Sequence, residues 1–290
     1  MDVSSFLVQS LNSVQYGFLL FLVASGLTLI FGILGVINLA HGSFFMIGAY
    51  LAYWLALKTG NLFVAIALGL PLSFLLGLVV ERLAIGFLYT RDHLYQVLLT
   101  YGLILIFNEL QRILWGNDVH GVPVPAALGA SVPLDETQSY PVYRFFISFA
   151  CIGVAAAMYF VIHRTKLGML IRAGAVNREM VELLGFHVKR LYALVFALGA
   201  ALTAFAGMLS APVSSVYPGM GEHILIISFV VVVIGGLGSI QGAFVGAMLI
   251  GFVDTFGKVL VPEAASISVY AFMAAVLLWR PQGLFGARPA

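Results

Sequence analysis

The sequence predicts an all-α, polytopic transmembrane helical bundle, and three observations predict it. Of the 290 residues, 62% are hydrophobic and only 9% charged, against about a quarter charged in an ordinary soluble domain. The mean hydropathy is +1.07. The apolar runs are continuous and do not alternate, so they suit helices of about 20 residues crossing a lipid core of roughly 30 Å, not the strands of a barrel.

Taken in order, apolar windows bounded by glycine, proline and charge clusters place helices near residues 14–36, 43–57, 62–80, 94–114, 143–162, 191–211, 223–234, 240–258 and 264–280. The first carries no charge at all. The second stops at Lys58, the third at Glu81 and Arg82, and the fourth opens after Arg91 and Asp92. The fifth follows Pro141 and ends at His163 and Arg164, and the sixth runs from Lys189 and Arg190 toward Pro212. The seventh is closed by Gly235 and Gly236, the eighth carries Lys258 at its end, and the ninth reaches Arg280 and Pro281. Windows 43–57 and 223–234 are too short to cross a bilayer upright, so each must tilt, borrow length from its flanks, or stop inside the protein. The span count is therefore eight or nine, in one transmembrane domain covering 1–290. The opening MDVSSFLVQS lacks the positive leader of a cleaved signal peptide, so the first span is expected to remain. Cys151 is the only cysteine, which rules out an internal disulfide and a cysteine metal cluster.

The net charge of +2 says little, because in a membrane protein the location of charge matters more than its sum. The loop 163–190 holds six of the fourteen Lys and Arg residues: Arg164, Lys166, Arg172, Arg178, Lys189 and Arg190. The positive-inside rule puts it in the cytoplasm. Counting outward places Arg82, Arg91, Arg280 and Arg288 inside, and the N-terminus and the 115–142 loop outside. That outer loop, with Asp118, Asp135 and Glu136 and neither Lys nor Arg, agrees. The expectation is a multi-pass protein of a bacterial inner membrane with its C-terminus in the cytoplasm.

Within the basic loop, residues 172–184 divide on a helical wheel. Ala173, Val176, Met180, Leu183 and Leu184 share one arc, while Arg172, Arg178, Glu179 and Glu182 share the opposite one. Asn177 suits an N-cap, Glu179 the first turn, and Gly185 a left-handed C-terminal stop. So short a helix is marginal alone in water. Its apolar face must lie on the bilayer or its own bundle, or dock in a groove of a cytoplasmic protein.

A second informative stretch is GVINLAHGSF, residues 35–44. Asn38 and His41 lie three apart, flanked by Gly35 and Gly42. Two readings stay open: an ordinary cytoplasmic turn between spans, or an unwound segment lining the substrate path. GGLGSIQGAF, 235–244, repeats the outline, with Gly235, Gln241, Gly242 and Phe244 matching Gly35, His41, Gly42 and Phe44. If the repeat is real, two related halves meet at a central pathway containing Asn38, His41, Gly42, Gln241 and Gly242. No second His or carboxylate sits at metal spacing beside His41, so no metal site is assigned. Glu109 with Arg112 and Asp254 with Lys258 read as pairs that neutralise each other within their own helices. The small residues from Ala197 to Gly207 read as a helix packing face.

The motifs that are missing bound the function. No G-x-x-x-x-G-K-[ST] loop exists, since Gly257-Lys258 is followed by Val259, and no H-E-x-x-H, G-x-S-x-G or paired carboxylates appear. No catalytic residue is assigned, and the chain reads as a transport protein and not an enzyme. A stand-alone channel or secondary transporter would more naturally carry an unpaired intramembrane carboxylate for ion coupling.

Glu179-Met180-Val181 followed by Gly185 resembles the E-A-A-x-x-x-G pattern of ABC-importer permeases. The stretches RTKLGMLIRAGAVNREMVELLGFHVKRL, GLTLIFGILGVINLAHGSFFMIGAY, VVIGGLGSIQGAFVGAMLIG and WRPQGLFG are similar to the permease subunits of branched-chain amino-acid importers of the LivH kind. The resemblance implies that 163–190 is a coupling loop, with Arg178, Glu179, Met180, Val181, Leu184 and Gly185 seated in a cleft of an ATP-binding subunit. It implies as partners two ATP-binding subunits, a second permease (a paralogue or a second copy), an extracytoplasmic substrate-binding protein and membrane lipid, but no nucleic acid. ATP and Mg would sit on the partner subunits, with no cofactor in this chain. The implied substrates are leucine, isoleucine and valine. Related systems carry urea, short amides or aromatic acids, and a sugar-type permease would share the architecture.

Overall fold

Each of the nine apolar windows becomes a helix. The computed structural model describes residues 2–89, 91–135, 138–176 and 178–286. In chain order the helices are α1 (Val3–Leu34), α2 (His41–Thr59), α3 (Leu62–Leu83), α4 (His93–Trp115), α5 (Val142–Arg164), α6 (Lys166–Val176), α7 (Arg178–Leu183), α8 (Val188–Ser214), α9 (Met220–Gly235), α10 (Ile240–Leu260) and α11 (Ala265–Trp279). Among the described residues, six helices are long and apolar enough to cross a membrane. Asn177, Glu136 and Arg288 lie outside the described residues.

Three boundaries differ from expectation. Helix α1 begins at Val3 and not near residue 14, so its 32 residues span about 48 Å at about 1.5 Å per residue. The lipid-thickness criterion missed Ser4 to Ser13 because polar residues continue a helix above the membrane without entering it. A short antiparallel hairpin, β1 (Ser131–Pro133) with β2 (Ser139–Pro141), lies within the 115–142 loop. The basic loop holds two helices where one is expected.

The interior is built on α1 and α8. Helix α1 lies against both α8 and α10, and α8 also packs on α2 and α3. Gly17 sits beside Met248 and Gly32 beside Gly238, so α1 and α10 run antiparallel. Ala197, Ala200, Ala204 and Ala206 of α8 are fully buried, as expected of a packing face. Gly26, Gly48 and Gly77, from α1, α2 and α3, all press against α8. Small residues let backbones approach where no hydrophobic force drives helices together. The outer shell is the opposite: Leu75, Leu98, Phe149 and Leu278 are exposed, which suits contact with lipid.

The two ends group as the charge pattern predicts. At one, Gln138 Nε2 donates to Ser5 Oγ (2.8 Å), Arg144 donates to Asn12, and His120 pairs its backbone with Val216. At the other, Tyr89 and Tyr192 meet edge to face with centroids 5.0 Å apart, and the Leu284 N–H donates to Ile234 O (2.8 Å). In the buried interior Tyr143 Oη donates to Leu209 O at 3.0 Å, tying α5 to α8. Tyr143→Phe is expected to cost about 1 kcal/mol. It should lower the thermal unfolding midpoint of the detergent-solubilised protein.

Candidate functional site

The basic loop is the first candidate. Thr165 caps α6 by accepting the Gly168 N–H at 3.1 Å, and the Arg172 guanidinium donates to Ile162 O. Leu167, Leu170 and Ile171 turn α6 onto Leu29, Ile33, Leu191 and Val195 of the bundle. The signal for α6 was Thr165, an N-cap residue hidden among basic side chains.

Helix α7 starts at Arg178, carries Glu179 in its first turn, and ends as its sequence specifies. Gly185 has φ 84°, its N–H donates to Glu182 O (2.9 Å), and the Phe186 N–H donates to Val181 O (3.3 Å). These two bonds form a Schellman motif. Val181 is only 3% exposed and packs among Leu29, Ile171, Leu191 and Tyr192, whereas Leu183 is 83% and Leu184 68% exposed. Met180 and Phe186 are also exposed. The wheel treated 172–184 as one helix and left Val181 off the apolar arc. Because α6 and α7 are separate helices, their faces are phased independently, and Val181 fastens α7 while Leu183 and Leu184 face outward.

The second candidate is the break between α1 and α2. Gly35, at φ 63°, ends α1, and residues 36–40 are non-helical. His41 Nε2 lies 3.0 Å from Val23 O and 2.6 Å from Thr203 Oγ1. Val23 is eleven residues before the end of α1, about 16 Å along the axis, so the break reaches mid-depth and not merely the bundle's end. A carbonyl only accepts, so Nε2 carries the hydrogen, and the Thr203 hydroxyl, itself donating to Gly199 O at 3.0 Å, accepts as well. Asn38 Oδ1 accepts the Ala40 N–H at 3.1 Å. Asn38 Nδ2, His41 Nδ1 and Thr28 Oγ1 are buried without a hydrogen-bond partner among the described residues, a costly arrangement in a dry interior.

Of the five residues read as a pathway, Asn38, His41 and Gly42 come together. A Cβ added to Gly42 would stand 2.0 Å from Gly221 O of α9. Gly242 makes an equally tight crossing, but with Gly235, at the α9–α10 break. The two breaks thus share a form, with left-handed glycines at Gly35 and Gly236. Gln241 does not join the others: it is exposed, in a groove of about 490 Å³ that also holds Tyr159 and Arg172.

A third feature escaped the sequence. At the end bearing the N-terminus, α1, α2, α5, α8, α9 and α10 line an open cavity of about 480 Å³. Arg144, Asp254 and Lys258 all line it. Asp254 and Lys258 form the expected pair, Nζ to Oδ2 at 2.5 Å, with side-chain exposures of 10% and 59%. The other expected pair, Glu109 with Arg112, is closed at 2.6 Å on the exposed surface. The sequence signal for Arg144 is that it is the only Lys or Arg between Arg112 and Arg164.

Comparison with known proteins adds to this geometry. The family described as "Branched-chain amino acid transport system / permease component" matches residues 10–279. The chain is 29% identical over 300 residues to the high-affinity branched-chain amino acid transport system permease protein BraD of Pseudomonas aeruginosa, covering 98% of this chain and 97% of that protein. It is 27% identical over 296 residues to the permease protein LivH of Escherichia coli K12, covering 97% and 96%. LivM of the same organism is 26% identical over 293 residues, covering 89% and 66%. No solved structure shows significant similarity to the chain.

Proposed function

The chain belongs to the permease components of branched-chain amino acid transport systems, and on that premise we propose that it imports leucine, isoleucine and valine, driven by ATPase subunits docked on α7. It is a multi-pass transport permease, not an enzyme. With a second permease it forms the pathway, a substrate-binding protein delivers the amino acid at the end bearing the N-terminus, and the basic end with the C-terminus faces the cytoplasm. ATP and Mg belong to the partner subunits.

One observation carries the coupling role. Leu183 at the end of a six-residue helix, and Leu184 immediately after it, stand exposed while Val181 fastens that helix to the bundle, at the end richest in Arg and Lys. A helix presenting apolar anchors while held from behind suits a helix-in-groove contact. ATP-driven closure of the partner would then move a rigid handle continuous, through α6, with the packing of α1 and α8.

Leu184→Asp and Gly185→Val test this in the complete importer reconstituted in liposomes. Uptake is expected to fall about tenfold, equivalent to about 1.4 kcal/mol of coupling. The complex should stay inserted, and its ATPase should cease to respond to loaded receptor. Undiminished uptake in both variants would overturn the coupling role. A receptor that bound urea and ignored leucine would overturn the substrate.

A further inference from the structure

We propose that the cavity between α1, α5, α8, α9 and α10 is a substrate site within this single chain, binding the zwitterionic group of an α-amino acid. The inference rests on the reading of the chain as an amino-acid importer and places that substrate at particular side chains.

Arg144 carries the argument. Its guanidinium bonds to Asn12, a neutral partner, and no carboxylate among the described residues lies within ion-pair distance of it. A guanidinium held by neutral groups in a partly enclosed cavity is a receptor for a carboxylate, which its planar fork of donors matches. The same cavity supplies the opposite charge: Asp254 is buried, and its companion Lys258 is more than half exposed. An incoming ammonium can take the Asp254 carboxylate while Lys258 swings toward water. In the same position Lys258 Nζ stands 5.7 Å from the centroid of the Tyr16 ring, a contact that does not depend on the carboxylate.

The remaining wall suits an aliphatic side chain. Phe45, Met220, Ile224 and Val259 line it, and a volume of about 480 Å³ falls in the roughly 300–1,000 Å³ range of small-molecule pockets. Phe45 and Met220 stand beside the Gly42–Gly221 crossing. This wall of the cavity therefore lies near that crossing. A neutral amide such as urea would satisfy neither charged wall, so the site selects amino acids over that class.

The test exploits the single native cysteine, Cys151, which is buried. In the complete importer in liposomes, Thr255→Cys places one reactive thiol on the cavity wall for a membrane-impermeant maleimide added from the N-terminal side. Millimolar leucine is expected to slow labelling severalfold. Isoamylamine, which lacks the carboxylate, and isocaproate, which lacks the ammonium, should not protect. Adding Asp254→Asn should remove leucine protection while the complex stays assembled. Should Thr255→Cys fail to assemble, Ser214→Cys across the cavity gives the same readout. Labelling indifferent to leucine in an importer that still transports it, or protection that survives Asp254→Asn, overturns the site. An importer that carries no amino acid overturns the functional reading instead.

Discussion

Gly42→Leu is expected to leave almost no folded protein in the membrane. A Cβ at this position would stand 2.0 Å from Gly221 O and 2.7 Å from Leu225 Cβ, and a Cβ on Gly221 would meet Gly42 O at 2.5 Å. The obstacles are chiefly backbone atoms, so no change of rotamer relieves them. An ordinary overpacked core loses roughly 1–3 kcal/mol because side chains can shift. Here α2 and α9 would have to separate, against a total stability of about 5–15 kcal/mol. Gly42→Ala should show the same defect in milder form. Gly153→Leu is the control, because nothing lies within 4 Å of a Cβ there. Fluorescence-detected size exclusion of the tagged chain reads the outcome. A monodisperse Gly42→Leu peak at wild-type yield would show that α2 and α9 do not cross at these glycines.

That crossing illustrates which features the sequence carries and which it does not. Continuous hydrophobicity reports whether backbone can sit in lipid, so all nine windows became helices, and the glycine outline at 35–44 marked a real break. The depth of that break was not legible. Nothing local says that residues 36–40 fold back to the level of Val23 and do not stay at the end of α1. The orientation of Gln241 was hidden for the same reason: the repeat matched it to His41, yet α10 turns it outward while α2 turns His41 in. Residues of one helix face are assigned by what packs on them, and that partner lies far away in sequence. The capping signals at Gly185 and Glu179 were legible because they act within one turn. Arg144 needed three dimensions, since its role depends on Asp254, 110 residues further along the chain.

Val181→Asp should abolish uptake while leaving the transmembrane bundle intact. Val181 is 3% exposed between Leu29, Ile33, Ile171, Leu191 and Tyr192, and a carboxylate there has no partner to compensate its loss of water. Burying an unpaired polar group costs roughly 2–7 kcal/mol and an ionised one more. A helix of six residues, far below the about 12–15 needed for stability in isolation, cannot meet that cost, so α7 leaves the bundle instead of carrying the charge inside. The large apolar interior around α1 and α8 does not depend on it. Val181→Ala removes only apolar contact, at about 1–2 kcal/mol, and should retain most uptake. Trypsin separates this effect from a docking defect. In Val181→Asp, cleavage at Arg178, Lys189 or Arg190 should accelerate, because the loop is no longer fastened. In Leu184→Asp uptake should fall without faster cleavage, because Leu184 already faces outward at 68% exposure. Anchoring and docking are therefore two separable jobs of one short helix. Wild-type uptake and wild-type cleavage in Val181→Asp would show that α7 is not held by this residue.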